Sequence, residues 1–292
     1  MTHLTGIIPP VPTPFTTSGE FDTEALTTLI SALEPEVDGF LILGSNGEAA
    51  LLSEAERDEV VRVARAAIPS DKPLLVGTGG ETTRLVIERN HKAAATGADF
   101  ALIIAPFYFK GSMTDTVLET HYTRVADESP LPVLLYNIPQ VTGFAFSPAL
   151  VAKLAQHENI VGMKDSSGNV MALTETIRQV PDGFTVLTGS APTLLPALSL
   201  GAQGGILAVA NVSARSYKKI LTCFQDGNLG EARRLQLALN PLAVAVTSKY
   251  GVPGLKVVLR SQGKTAGYPR APLLDVSEDV KQELEGLLEE LD

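Results

Sequence analysis

Lys164 stands where a lysine has no evident structural use. It follows the apolar run Ile160-Val161-Gly162-Met163 and is succeeded by Asp165-Ser166-Ser167-Gly168. Burial at the end of a strand disfavours an ammonium, and the neutral amine attacks a carbonyl carbon to form a Schiff base. The plain alternative is a lysine that snorkels from a core edge into solvent. Other reactive side chains close similar apolar runs: Tyr136 in Tyr136-Asn137-Ile138-Pro139, and Tyr108 in Pro106-Phe107-Tyr108-Phe109. The turn Gly44-Ser45-Asn46-Gly47-Glu48 follows a third run and leads towards a helix, where amides and a hydroxyl can hold a carboxylate. Either tyrosine alone reads as a core aromatic with a satisfied hydroxyl. Together with the turn and the lysine they point to imine chemistry on a small oxo acid. Lys110 is the rival nucleophile. It comes several residues after its strand, beside Gly111 and Ser112, and is expected to be solvated.

Such groups need a scaffold that delivers several strand ends to one place. Strand-length apolar runs at 6–11, 39–43, 73–77, 100–105, 132–136, 160–163, 185–187 and 205–209 alternate with amphipathic helical segments. The first helix begins near Asp22 and carries Leu26, Leu29, Ile30 and Leu33 on one face. Ser53 and Glu56 form a capping box for the second, and Ser147-Pro148 supplies a cap and a first-turn proline for another. Helices are also expected at about 82–96 and 114–127. The strands are apolar throughout, as parallel strands buried on both faces require. Eight such units predict an α/β fold, a (β/α)8 TIM barrel, over residues 1–226. Segments 229–247, 254–261 and 277–291 predict a C-terminal helical extension, 227–292, packed on the barrel. A doubly wound sheet is disfavoured, because prolines follow Gly6 and Gly77-Thr78-Gly79-Gly80-Glu81 lacks the dinucleotide-binding spacing. That glycine cluster reads as a turn.

Composition narrows the function. The 292 residues are 45% hydrophobic and 19% charged with a formal net charge of -10, and no dense basic cluster occurs, so neither nucleic acid nor an anionic membrane is an expected partner. No apolar run approaches membrane-spanning length. The N-terminus has no basic segment leading into an apolar one, and a cytoplasmic location is the expectation. Cys223 is the only cysteine and reads as a core thiol in a helix. His3, His91, His121 and His157 show no ligand-like spacing, so no metal and no other cofactor is expected. The last helix is acidic on its exposed face. A barrel that binds an oxo acid as a sensor, without turnover, is the reading from a different functional class.

These residues resemble the pyruvate-dependent class I aldolases, the group of dihydrodipicolinate synthase and N-acetylneuraminate lyase. The likeness runs from Gly6 to about Leu274 and is carried by Gly44-Ser45-Asn46-Gly47-Glu48, Tyr136-Asn137-Ile138-Pro139 and Gly162-Met163-Lys164-Asp165-Ser166. It implies that Lys164 forms an imine with pyruvate or another 2-oxo acid, which then reacts with or releases an aldehyde. It makes Tyr136 the general acid and base, linked to Ser45 and Tyr108 in a hydroxyl relay. It places Ser45 and Asn46 on the substrate carboxylate, with Gly189 and Ile206 lining the pyruvate pocket. Tyr108 would reach across a subunit interface, which implies a homo-oligomer, a dimer or a tetramer.

Three departures bear on the second substrate. Val141 stands where dihydrodipicolinate synthases carry an arginine for the aldehyde's carboxylate, and Asn46 replaces a threonine of the turn. Ser190-Ala191-Pro192 lacks the acidic residues that bind a sugar's hydroxyls in sialic acid lyases. Within the family the chain most resembles 4-hydroxy-2-oxoglutarate aldolase, through the strand-two turn, His121-Tyr122-Thr123 with Val125-Ala126-Asp127, residues 159–166, Gly254-Leu255-Lys256 and Pro269-Arg270-Ala271-Pro272-Leu273. That likeness implies cleavage to pyruvate and glyoxylate, with Ser166 contacting the substrate. Synthesis from pyruvate and aspartate semialdehyde, or cleavage of a 2-keto-3-deoxy sugar acid, are the alternatives.

Overall fold

The computed structural model describes residues 4–290. Its eight strands are β1 (Gly6–Ile8), β2 (Phe40–Ile42), β3 (Leu74–Gly77), β4 (Phe100–Ile104), β5 (Val133–Asn137), β6 (Ile160–Asp165), β7 (Thr185–Thr188) and β8 (Gly204–Ile206). They form one sheet in the order β1-β8-β7-β6-β5-β4-β3-β2. The segments carrying β1 and β2 are themselves joined by backbone bonds from Asp38 N to Ile7 O (3.1 Å), Leu41 N to Pro9 O (3.1 Å) and Val11 N to Leu41 O (2.8 Å). This is a (β/α)8 barrel.

Between the strands lie α1 (Thr23–Leu33), α2 (Glu54–Ala67), α3 (Thr83–Ala95), α4 (Asp115–Glu128), α5 (Pro139–Thr142), α6 (Pro148–Leu154), α7 (Val170–Gln179) and α8 (Leu194–Leu200). After β8 come α9 (Ala210–Gln225), α10 (Leu229–Val244), α11 (Gly251–Ser261) and α12 (Glu278–Glu289). Side-chain caps set most helix starts. Asp22 accepts from Ala25 N, Thr82 from Leu85 N, Thr114 from Val117 N and Ser147 from Leu150 N. Ser53 and Glu56 satisfy each other's amides in the expected box, at 2.9 and 3.3 Å.

Backbone contacts divide the chain into two compact units. The first holds residues 73–205 together with the described residues 4 and 5, and its core is built on strands β4 and β5. Ala101, Leu102 and Ile103 are buried there with Val133, Leu134 and Leu135, under Val86 and Ile87 of α3 and Leu118, Tyr122 and Val125 of α4. The second holds residues 6–72 and, of the described C-terminal part, 206–290. Leu26, Leu29, Ile30 and Leu33 of α1, Val60, Val61, Val63 and Ala64 of α2, and Leu255 to Leu259 of α11 are buried in it.

Several boundaries differ from expectation. β1 stops at Ile8, because Pro9 and Pro10 have no N–H to donate. β6 runs two residues further than expected, so Lys164 lies within the strand. β8 ends at Ile206 although the apolar run continues to Val209, and Asn211 lies in α9. It is fully buried and donates through Nδ2 to Pro10 O (3.1 Å) and Ala208 O (2.8 Å). The expected long helix from 229 ends at Val244 in a π-helical turn, Ala245–Lys249, where Thr247 Oγ1 bonds back to Ala243 O (2.6 Å). Cys223 is half-buried on α9, not a core thiol. His3 and the expected helix end at 291 lie outside the described residues.

One buried group sets an acid limit on the first unit. His121 of α4 is enclosed, with Nδ1 2.9 Å from Thr83 Oγ1 and its ring edge-on to Tyr122. Burial holds its pKa down from 6.5 to about 4. The neutral ring therefore contributes stability above pH 6.5 that is lost as pH falls through about 4. Chemical denaturation across this window should show a loss of about 3 kcal/mol. His121→Gln should remove most of that pH dependence, and a variant as acid-sensitive as the parent would contradict the assignment.

Candidate active site

In the first unit the decisive feature is the register of β5 against β6. Tyr136 lies opposite Lys164, and Asn137 opposite Asp165. Paired residues on neighbouring strands share a face, so the tyrosine and lysine project to one side and the amide and carboxylate to the other. Lys164 is 4% exposed and its Nζ lies 4.2 Å from the centroid of the Tyr136 ring. It does not snorkel. The nitrogen lies over the face of the ring, the position in which an aromatic ring attracts a lysine head group.

The opposite face locks this arrangement. Asn137 Nδ2 donates to Asp165 Oδ1 (2.7 Å), and Asn137 Oδ1 accepts from Phe146 N (3.1 Å). Ser167 donates to the two Asp165 oxygens from its amide (3.1 Å) and its hydroxyl (2.9 Å). Backbone bonds from Ser166 N to Asn137 O (2.8 Å) and from Gly189 N to Asp165 O (2.6 Å) tie the ends of β5, β6 and β7 together. Gln140 Nε2 donates to Ser166 O (3.1 Å) and Ser167 O (3.3 Å) from α5. Buried and mutually satisfied polar groups of this kind fix geometry.

Gly189 is glycine for a steric reason. A β-carbon there would come within 1.9 Å of Ser166 Oγ and 2.9 Å of Lys164 Cε. Gly189→Ala should therefore displace both side chains and lower kcat/KM by about 10²-fold, the cost of an ångström-scale misplacement. Steady-state kinetics of the folded variant checks this, and near-normal activity would show that the packing is not required.

Tyr108 and Lys110 follow β4 on the surface. Tyr108 is 78% exposed, stacks edge-on against Phe109, and has its backbone held by Glu81, whose carboxylate accepts from Phe107 N (3.1 Å) and Tyr108 N (3.0 Å). Glu81 belongs to the glycine cluster that the sequence marks only as a turn. Lys110 is exposed in a short 3-10 turn, as expected, so Lys164 is the buried lysine of the pair.

In the second unit Ser45–Gly47 forms a 3-10 turn directly after β2. Leu43 (φ 54) and Glu48 (φ 52) flank it in the left-handed region without being glycine. Such residues cost about 1–3 kcal/mol each and persist where surroundings enforce them, often at binding sites. Ser45 is exposed, Asn46 half-buried, and Ile206 fully buried at the end of β8. Thus the first unit brings Lys164, Tyr136, Ser166 and Gly189 together around one strand pair. Ser45, Asn46 and Ile206 belong to the second. Among the described residues no group of three His, Cys, Asp or Glu could hold a metal ion, and no helix is long and apolar enough to cross a membrane.

Residues 3–291 match the model of the dihydrodipicolinate synthetase family. A 4-hydroxy-tetrahydrodipicolinate synthase of Archaeoglobus fulgidus is 35% identical over 287 residues, covering 98% of each chain. One from Methanothrix thermoacetophila is 35% identical over 285 residues, covering 97% of this chain and 95% of its own. Among solved structures, dihydrodipicolinate synthase DapA-2 of Bacillus anthracis superposes with a TM-score of 0.95 at 28% identity, covering 99% of both chains. YagE of Escherichia coli K12, a member of the same family solved with pyruvate, superposes at 0.93 with 34% identity over 99% of both. The expected special closeness to 4-hydroxy-2-oxoglutarate aldolase finds no support in these relatives. A family match over nearly the whole chain, together with relatives 35% identical over almost their full length, makes this protein a member of the dihydrodipicolinate synthetase family and a class I, lysine Schiff-base lyase.

Proposed function

We propose that this enzyme is a 4-hydroxy-tetrahydrodipicolinate synthase, as its relatives are named, and that it joins pyruvate to aspartate semialdehyde. The observation that carries the reading is the buried Lys164 amine held 4.2 Å over the Tyr136 ring by the β5–β6 register. Lys164 Nζ attacks the ketone carbon of pyruvate, and loss of water gives a protonated imine. That imine is an electron sink, so the methyl group can lose a proton and become an enamine. The enamine carbon forms a bond to the aldehyde carbon, whose oxygen takes up a proton. Hydrolysis then frees Lys164. Tyr136 moves the protons, Ser45 and Tyr108 complete the relay, and Tyr108 reaches a neighbouring subunit's centre in a homo-oligomer. Ser45 and Asn46 hold the pyruvate carboxylate, Ser166 contacts the substrate, and Gly189 and Ile206 shape the pocket.

Val141 favours a second reading. It is an aliphatic residue, 46% exposed on α5, where a guanidinium is expected for the semialdehyde's carboxylate. Without that cation, cleavage of 4-hydroxy-2-oxoglutarate into pyruvate and glyoxylate becomes competitive. Paired assays on one preparation decide. The proposal requires condensation of pyruvate with aspartate semialdehyde to have the higher kcat/KM, and faster cleavage of 4-hydroxy-2-oxoglutarate would replace it with the second reading.

A further inference from the structure

Glu48 follows the Ser45–Asn46–Gly47 turn immediately, yet its side chain runs inward and is 4% exposed. A buried carboxylate in a left-handed backbone conformation needs strong local compensation. Lys256 of α11, which is 0% exposed, supplies it with Nζ 2.5 Å from Glu48 Oε1. The same ammonium donates to Thr13 O (2.7 Å) and Tyr268 O (2.7 Å). It also lies 4.6 Å from the Phe15 ring centroid, and Arg270 lies 4.1 Å from that centroid. Glu48 Oε2 accepts from Arg270 N (2.8 Å). Thr13 closes the circuit, because its hydroxyl donates to Gly47 O (2.7 Å) inside the turn.

The turn is therefore clamped from below by residues brought from far along the chain. A buried ion pair adds little net stability over apolar side chains of the same shape, whereas it does fix where its two partners lie. Burial pushes the Lys256 ammonium down to about 8 against the pull of Glu48, and at neutral pH it stays charged.

We propose that Lys256 is a positioning residue for substrate binding: through Glu48 it holds the strand-two turn in the conformation in which Ser45 and Asn46 receive the carboxylate of a 2-oxo acid. This rests on the carboxylate-binding role proposed for that turn. Lys256 touches no reacting atom, and its effect falls on recognition of the carboxylate rather than on the imine.

The test compares Lys256→Met with the double variant Lys256→Met/Glu48→Gln, which leaves no uncompensated buried charge if the single variant fails to fold. The probes are pyruvate and pyruvamide, which has the ketone and lacks the carboxylate. Wild-type enzyme should prefer pyruvate. In the folded variant the pyruvate KM should rise about tenfold or more, the effect of losing a charge-assisted contact, while kcat at saturation changes little. The preference for pyruvate over pyruvamide in borohydride trapping on Lys164 should fall by the same factor. A folded double variant with wild-type pyruvate KM overturns the proposal. So does an equal loss with both probes, which marks a general structural defect. If wild-type enzyme forms no Lys164 adduct, the functional reading itself fails and the inference falls with it.

Discussion

Lys164→Ala is expected to abolish turnover, with kcat reduced by at least about 10⁴-fold, because the proposed covalent intermediate forms on its amine. The comparison with Lys110→Ala makes the result specific. Lys110 is exposed on a short turn and its loss should leave pyruvate trapping intact, whereas Lys164 is buried in β6 against Tyr136. Parallel measurements of kcat and thermal unfolding for both variants are required, since Lys164 also contributes packing. Substantial turnover in Lys164→Ala would exclude the imine route. Loss of trapping in Lys110→Ala with retention in Lys164→Ala would transfer the nucleophile to the loop after β4.

Tyr136→Phe should have the second largest effect, a fall in kcat of about 10²–10⁴-fold, the range for removing a positioned general acid–base group. The ring stays, and with it the surface on which the Lys164 amine lies, so the fold and the position of the lysine should be kept. Pyruvate should still be reducible onto Lys164, more slowly than in wild type. This separates proton transfer from nucleophilic attack. A variant within about threefold of wild-type kcat would mean that protons move through another group, a far smaller effect than general acid–base loss produces.

Much of this architecture is legible in the chain because its signals are local. Ser53 with Glu56, and Ser147 with Pro148, announce helix starts by chemistry confined to a few residues. The one-faced apolar sets of α1 and α2 are buried as their spacing requires. Strand ends are less legible where apolar residues run on. The stretch from Ile206 to Val209 gives no mark that β8 stops at its first residue, and Met163 gives none that β6 continues through a lysine.

Register is not legible at all. Residue types at 136 and 164 suggest imine chemistry, but their pairing depends on a shift between Val133 and Leu134 that no periodicity announces. The reason for glycine at 189 appears only when Ser166 and Lys164 are seen packed against it. Long-range polar contacts are hidden for the same reason. Lys256 lies in an amphipathic helix far from Glu48 in sequence, and nothing local to either residue says that they meet.

Lys164 as the residue that bonds to substrate is the claim on which the rest depends. Its most direct measurement is borohydride reduction in the presence of pyruvate, followed by peptide mass spectrometry of the intact active enzyme. A three-carbon adduct on Lys164 is expected, dependent on pyruvate and lost in Lys164→Ala. Absence of any adduct, or an adduct on Lys110 or Lys256 instead, would contradict it.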